Sequence, residues 1–470
     1  MNLLEQPSVN TIAIIGGGFS GVMVAIHLLK ESNKPLKIKL IERRSTIGRG
    51  VAYGVQTDCF LLNVPTGKMS AFPDEPEHFW RWLKTQTKEA ETFPPSAFVP
   101  RKFYGQYLEA AFKEAVVNSV HQFELIQDEV MDLKVLAHPK TQKARLTLKS
   151  GRTLTADKVV LALGNFPPSD PPVADRTFYA SQRYIRNVWP GDILHSIAPQ
   201  EPILLIGTGL TMVDVVAALR DRGHFGPIQA VSRHGLFPLP HQSTSPLPPF
   251  PLTQETRQNL RALVRKVRQQ VKLASASGSD WRAVIDSLRS QTQSLWQNFP
   301  LSEQQRFLRH IRPYWDIHRH RIAPQIYDLV REMLDSHQLS IHAGRLQFYQ
   351  EDDRGVNVSI RERSTGKLIG LRATVVINCT GPESNYSHCQ DPLIQNLLAS
   401  GEICLDPLSL GLSTNFQGEI ISASGVTSSI LYTLGSPRKG QLWETTAVPE
   451  IRCQAVDLAR ELLDSLELTS

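Results

Sequence analysis

The sequence predicts an α/β chain of two Rossmann-like domains, the second inserted in the first and itself carrying a helical insertion. Three observations predict it. The glycine turn Gly16-Gly17-Gly18-Phe19-Ser20-Gly21 lies between a short β-branched run and an apolar helix-like run. A second turn, Gly207-Thr208-Gly209-Leu210, has the same setting near mid-chain. After each turn comes a meander of short strands and then an apolar strand ending on glycine, at Gly164 in the first copy and Gly381 in the second. A fold of this kind needs length. The chain has 470 residues, more than the roughly 250–300 a single core sustains. The boundaries expected are 1–195 for the N-terminal part of the first domain and 196–370 for the second, with inserted helices at about 253–337. Residues 371–470 return to the first domain.

Each element has its own signal. Thr11–Ile15 is apolar on every side but its first residue, as a buried parallel strand requires. Val22–Leu29 reads as a helix that is apolar on most sides, and Ile38–Ile41 as the next strand, ending in Glu42. From Phe123 to Leu163 short strands alternate with polar turns at 138–143 and 150–152. Pro202–Ile206, Thr211–Arg220 and Ile228–Val231 repeat the strand–helix–strand order. Six prolines follow between Pro238 and Pro251, then Arg-, Gln- and Leu-rich sequence at helical spacing. His78, Trp80 and Trp82 belong to an amphipathic helix packed on a core. Ile430–Leu434 reads as a strand, and Thr445–Thr446 as the cap of a helix starting near Pro449.

The glycine turns carry chemistry. In Gly16-x-Gly18-x-x-Gly21 the first glycine permits the tight turn and the second lets backbone approach a pyrophosphate. The third lets the helix pack on the strand. The helix start, with Phe19 and Ser20, offers N–H groups to the phosphates. Glu42, 26 residues after Gly16, is placed to accept hydrogen bonds from a ribose diol, and Arg43 follows it. In the second turn Met212 replaces the third glycine, so a wider helix–strand approach is expected. The residue 26 positions after Gly207 is Arg233, between Ser232 and His234. A fork of donors suits a 2′-phosphate rather than a free diol; the competing reading is a solvated surface arginine. An acid at one site and a base at the other predict FAD first and NADP(H) second, hence hydride chemistry carried by the cofactors.

Composition closes off other classes. With 51 Lys+Arg against 45 Asp+Glu the net charge is only +6, and no Lys/Arg block marks a nucleic-acid tail. Cys59, Cys379, Cys389, Cys404 and Cys453 form neither C-x2-C nor C-x4-C, which argues against a zinc ribbon and a redox dithiol. No secretory n-region and no apolar run of about 20 residues is present, so a cytoplasmic protein without a membrane partner is expected. No GxSxG, HExxH or P-loop appears.

At IAIIGGGFSGVMVAIHLL, GVAYGVQTDCFLLNVPTGKMSAFPDEPEHFWRWL, ILLIGTGLTMVDVVAAL, WDIHRHRIAP, INCTGPESNY and LWETTAVPEIR the chain resembles the bacterial FAD/NAD(P)-binding proteins of the two-dinucleotide-binding flavoprotein superfamily. The resemblance covers almost the whole length. It implies FAD on the first turn, with the 48–69 stretch and the final helix beside the flavin, and so places Asn63, Gly164, Gly435 and Thr446 among the cofactor contacts. Asn63 either hydrogen-bonds the flavin or an oxygen adduct, or stabilises its own turn. Glu444 is read as a capping group. In Tyr314–Arg321 the two histidines fall on different helix faces, so no metal is expected. Arg319 and Arg321 either hold an acidic substrate or the NADP phosphates, or make a basic helix face over Trp315.

One departure stands out. Flavin monooxygenases often carry F-x-G-x-x-x-H-x-x-x-W-P between their nucleotide domains. Here Tyr179, Ser181 and Ile185 replace Phe, Gly and His, and only Trp189-Pro190 remain. The function expected is an FAD-dependent NAD(P)H oxidoreductase passing electrons to oxygen, with monooxygenation of a small polar amine or acidic substrate. The alternatives are a flavin reductase serving a carrier or quinone, and a non-catalytic nucleotide-binding sensor.

Overall fold

The structure is a computed structural model that describes residues 9–136, 142–189 and 193–467. The turn expected at 138–143 and the Pro190 that ends the linker motif lie wholly or largely outside them. Two compact units emerge. One runs to Gln56 and resumes over Pro65–Phe166 and from Ser384; the other comprises Thr57–Val64 and Pro167–Glu383.

The first unit opens with β1 (Asn10–Ile15), α1 (Phe19–Glu31) and β2 (Leu36–Glu42). β-Branched residues fill β1, whose core positions are fully buried, and it pairs in parallel with β2. The short α2 (His78–Lys84) buries Phe79 and Leu83, and α3 (Arg101–Val117) buries Tyr104, Tyr107 and Leu108. Then come β3 (Gln122–Gln127), β4 (Val130–Leu136), β5 (Lys143–Leu148), β6 (Thr153–Ala156) and β7 (Lys158–Leu161). Only β4–β6 form the separate antiparallel meander; β3 joins β2 in parallel as the edge strand of the main sheet.

The second unit carries β8 (Tyr184–Ile185), β9 (Ile203–Ile206), α4 (Leu210–Asp221) and β10 (Ile228–Ser232). Six insertion helices follow: α5 (Gln254–Gln258), α6 (Leu260–Ala276), α7 (Trp281–Ser287), α8 (Thr292–Asn298), α9 (Leu301–His310) and α10 (Arg312–Arg319). Thr253, Asn259 and Asp280 cap three of them through their side chains, which is why polar residues punctuate this stretch. Phe250, at the end of the proline-rich segment, shares their small core with Val284, Leu288 and Leu295. The helix α11 (Pro324–Asp335) leads to β11 (Leu339–Asp352), β12 (Gly355–Glu362), β13 (Leu368–Ala373) and β14 (Val375–Asn378). The sheet order is β13-β12-β11-β10-β9-β14-β8. β11 is long because its first residues run parallel to β10 and its later ones pair antiparallel with β12.

The chain then returns to the first unit with α12 (Pro392–Ser400), β15 (Glu419–Ile421), β16 (Thr427–Thr433), α13 (Lys439–Leu442) and α14 (Val448–Glu467). Its main sheet has the order β15-β16-β7-β1-β2-β3.

Two boundaries differ from those expected. The first lies at Phe166/Pro167 rather than 195/196, because the two-residue β8 pairs with β14 at the edge of the second sheet. The second lies at Glu383/Ser384 rather than 370/371, because β14 pairs with β9. The segment Thr57–Val64 also belongs to the second unit, where Cys59 and Phe60 pack on its core and the Phe60 ring lies 6.1 Å from Trp189. Among the described residues no helix is long and apolar enough to cross a membrane.

Candidate functional site

The two glycine turns are built alike. Gly16 has φ +107°, and its N–H donates to the Ile41 carbonyl at 2.9 Å. A Cβ there would stand 2.4 Å from the Ala162 carbonyl oxygen. Gly207 also has φ +107°, donates to Val231 at 2.8 Å, and would place a Cβ 2.5 Å from the Cys379 carbonyl oxygen. A side chain at either position would collide with the strand that closes its repeat. Gly18 and Gly209 hold the N-cap positions of α1 and α4, extended, with no side chain capping the helix. The first N–H groups of each helix therefore remain for an anion.

The third position separates the copies. A Cβ on Gly21 would lie 1.9 Å from the Gly16 carbonyl oxygen, so α1 is pressed onto its turn. Met212 replaces it in the second copy and is wholly buried.

Around the first turn lies an open cleft. Glu42 is buried at its edge: Oε2 accepts from Gly17 N–H at 2.7 Å and Oε1 from Arg44 N–H at 2.9 Å. Each oxygen keeps a lone pair for another donor. Of the expected contacts in this unit, Gly16, Gly18, Phe19, Ser20, Glu42, Arg43, Gly164 and Thr446 line the cleft. Arg43 is already ion-paired, 3.1 Å from Glu129 and 4.0 Å from Asp391. Burial holds the Asp391 carboxyl above its ordinary value although its side chain caps α12.

Gly435, with φ +75°, follows β16 and precedes Ser436 of the cleft lining without lining the cleft itself. Its N–H donates to Gln454 at 3.0 Å, and its carbonyl accepts from the Thr445 hydroxyl at 3.1 Å. The Gln454 amide in turn donates to that hydroxyl at 2.7 Å. Thr445 thus ties β16 to α14 and does not cap the helix start. Val448, in the first turn of α14, lines the cleft.

Further lining residues come from the 48–69 stretch and from the segments just after β7 and β16. Gly50 meets Gly18 so closely that a Cβ would be 3.4 Å from its Cα, and beside it Arg49 pairs with Glu109 at 2.9 Å. The phenol of Tyr53 is pushed up to about 12 by burial, with its ring 4.7 Å from Tyr104. Asn165 accepts from the Ser436 hydroxyl at 2.8 Å. Gly48 and Gly50, both with positive φ, flank Arg49.

In the second unit a Cβ on Gly209 would meet nothing within 4 Å, and one on Gly381 (φ +87°) likewise. Both backbones are open to a ligand. Thr208 is buried; its hydroxyl lies 2.8 Å from Ser232 Oγ and also bonds the Leu236 carbonyl, so it shapes the loop after β10. Leu210 opens α4. Arg233 stands exposed at the end of β10. Partial desolvation, then the charges of Arg312 and Arg345, hold its pKa below the usual guanidinium value.

Asn63 lies in the Thr57–Val64 segment, and its carbonyl is 2.8 Å from His241 Nε2. Arg319 ends α10; beyond it the buried Arg321 is ion-paired with Asp286. His318 bonds the Tyr314 carbonyl at 2.7 Å and meets the Trp281 ring edge-on, and His320 is 3.8 Å from Asp316. Trp315 is half-buried on the insertion core rather than fully buried. Among the described residues no group of His, Cys, Asp and Glu could hold a metal.

Residues 13–166 match the FAD-NAD(P)-binding family model. The chain is 36% identical over 182 residues to nitrosuccinic acid synthase of Aspergillus oryzae, covering 35% of this chain and 27% of that protein. It is 26% identical over 254 residues to an L-aspartate N-monooxygenase (nitrosuccinate-forming) of Streptomyces davaonensis, covering 45% and 38%. The chain thus matches between about a quarter and two fifths of these relatives' length. Among solved structures, L-lysine 6-monooxygenase from Pseudomonas syringae superposes with a TM-score of 0.67 at 14% identity, over 98% of this chain and all of that one. Ornithine hydroxylase from Pseudomonas aeruginosa gives 0.64 at 14% over the same shares. Bacillithiol disulfide reductase from Bacillus cereus gives 0.51 at 13%, over 97% and 99%.

Proposed function

We propose that this chain, which has the fold of the two-dinucleotide-binding flavoproteins, is an FAD-dependent N-monooxygenase. In this reading it spends NADPH and dioxygen to oxidise the amino group of a small acidic amino acid. The observation that carries the proposal is the matched pair of turns, one ending on a buried carboxylate and the other on a cluster of guanidinium groups. The substrate class comes from the relatives that act on aspartate or form nitrosuccinate.

The residues fit FAD. At Gly18, which lines the cleft, a Cβ would meet only Gly50 at 3.6 Å, so the backbone there is open to a ligand, and the α1 N–H groups with Arg49 would hold the pyrophosphate. Glu42 would take the ribose hydroxyls. The start of α14 presents the positive end of its dipole to the cleft, where it favours negative charge. Bound FAD would supply the redox chemistry between NADPH and oxygen. Arg233 would hold the NADPH 2′-phosphate. Asn63 and Arg319 remain our candidates for the substrate side, Asn63 as a hydrogen-bonding group and Arg319 as a partner for a substrate carboxylate.

Glu42→Ala should weaken FAD binding roughly 10- to 100-fold, the equivalent of about 1.5–3 kcal/mol for a charge-assisted hydrogen bond. Flavin fluorescence on dialysis against the apoprotein measures it; unchanged retention would remove Glu42 from the ribose site.

The activity itself is tested by oxygen uptake and NADPH oxidation with and without L-aspartate. Stimulated, coupled turnover with an N-oxidised product is expected. Hydrogen peroxide as the sole product across acidic amino acids would favour a reductase. Ser181 and Ile185, standing where monooxygenases often carry Gly and His, are what keep that second reading in play.

A further inference from the structure

The chain's positive charge is not spread evenly. From Gln254 to Arg319 there are 12 Lys+Arg against 5 Asp+Glu, a net +7, so the insertion alone exceeds the +6 of the whole chain. Part of that charge reaches the end of β10. The Tyr314 ring, on α10, meets the His234 ring edge-on at 5.8 Å. Arg312 begins the same helix, its Nε 3.4 Å from Asp316.

The second sheet adds two more guanidinium groups. Ser232 of β10 is in register with Ala343 of β11, and Arg345 lies two residues further along that strand. Arg363 hydrogen-bonds the Ala343 carbonyl through its N–H at 2.8 Å and donates from Nη1 to the Arg233 carbonyl at 3.4 Å. Gly235 packs against Ala343, so no side chain rises at that point to screen the group.

We propose that the 2′-phosphate of NADPH is held by a cradle shared between the second nucleotide domain and its helical insertion. Arg233, Arg345 and Arg363 come from the domain, and Arg312 is the contribution of the insertion. The inference rests on the NADP(H) reading above and says which further residues set its selectivity. Concentrating like charges costs free energy in the absence of a counter-ion, and a dianionic phosphate relieves it. His234 is held below its ordinary pKa first by partial burial and then by Arg363, Arg233 and Arg345, the charges that face it, all positive. Planar forks on one phosphate also bring geometry that lysines would not. Arg312 is a specificity residue in this scheme and lies away from the reacting atoms.

Calorimetric titration of the FAD-loaded protein with NADP+ and with NAD+ tests it. Arg312→Ala and Arg345→Ala should each weaken NADP+ binding about tenfold, as loss of a charge-assisted contact does. NAD+ affinity should stay within about twofold. Arg265→Ala, on the exposed face of α6, is the control for general loss of charge and should change neither. Should Arg312→Ala unfold, Arg312→Gln keeps a polar side chain on the same unbranched stem without the charge and makes the same prediction. If the wild type separates NADP+ from NAD+ and Arg233→Ala abolishes the distinction while Arg312 variants keep it, the shared cradle is wrong and the NADP(H) reading stands. Equal weakening of both nucleotides by Arg312 variants overturns the cradle as well. A wild type indifferent to the 2′-phosphate overturns both.

Discussion

Gly21→Ala should give a protein that neither retains FAD nor melts where the wild type does. The new methyl would stand 1.9 Å from the Gly16 carbonyl oxygen and 3.1 Å from the Ile14 side chain. The first of these is backbone and cannot rotate away, so α1 must lift from β1. Overpacking of this kind costs about 1–3 kcal/mol, and lifting the helix also removes its N–H groups from the phosphates. Gly209→Ala is the informative partner. No protein atom lies within 4 Å of its would-be Cβ, so the melting temperature should stay near that of the wild type. What the methyl would block is the backbone approach of a dinucleotide, and NADP+ affinity should fall at unchanged stability. Absorbance at 450 nm per chain, thermal denaturation and NADP+ titration separate the two. A Gly21→Ala protein that is yellow and melts normally would refute the assignment of the first turn. A Gly209→Ala protein binding NADP+ like the wild type would refute the second.

Those contrasts show what was legible in the sequence and why. Glycines at 16 and 207 stand out because at φ +107° any Cβ would lie 2.4–2.5 Å from a carbonyl oxygen, which excludes every other residue. Glu42 and Arg233 stand out because they end strands at one fixed distance from those glycines. Arg49, Tyr53, Asn165 and Ser436 had no such ruler. They reach the cleft from loops whose course depends on how β2, β7 and β16 are ordered in the sheet, which sequence spacing does not encode. The misplaced boundaries have the same origin. A strand of two residues such as β8 has no periodicity to read, yet its pairing with β14 carries the preceding stretch into the second unit. Thr445 has the residue type and position of a helix cap. The partners that redirected its hydroxyl, Gly435 and Gln454, lie 10 and 9 residues away in the chain.

The second large effect is expected at Arg233. Arg233→Ala should raise KM for NADPH roughly 10- to 100-fold, since a hydrogen bond to a charged group contributes about 1.5–3 kcal/mol. KM for NADH should hardly move, and kcat with saturating NADPH should stay close to that of the wild type. An interaction with the 2′-phosphate is made equally in the ground state and the transition state, so its loss appears in KM alone. Arg233→Lys separates charge from shape: a point charge restores part of the affinity, whereas a requirement for the planar fork leaves the variant near alanine. Raising ionic strength should shrink the gap between wild type and Arg233→Ala, because the site is exposed and screened within about 10 Å at 0.1 M salt. Steady-state kinetics with both nucleotides at two salt concentrations decides the matter. A parallel rise in both Michaelis constants would make Arg233 a general support of the loop after β10 and leave the choice of nucleotide to other residues.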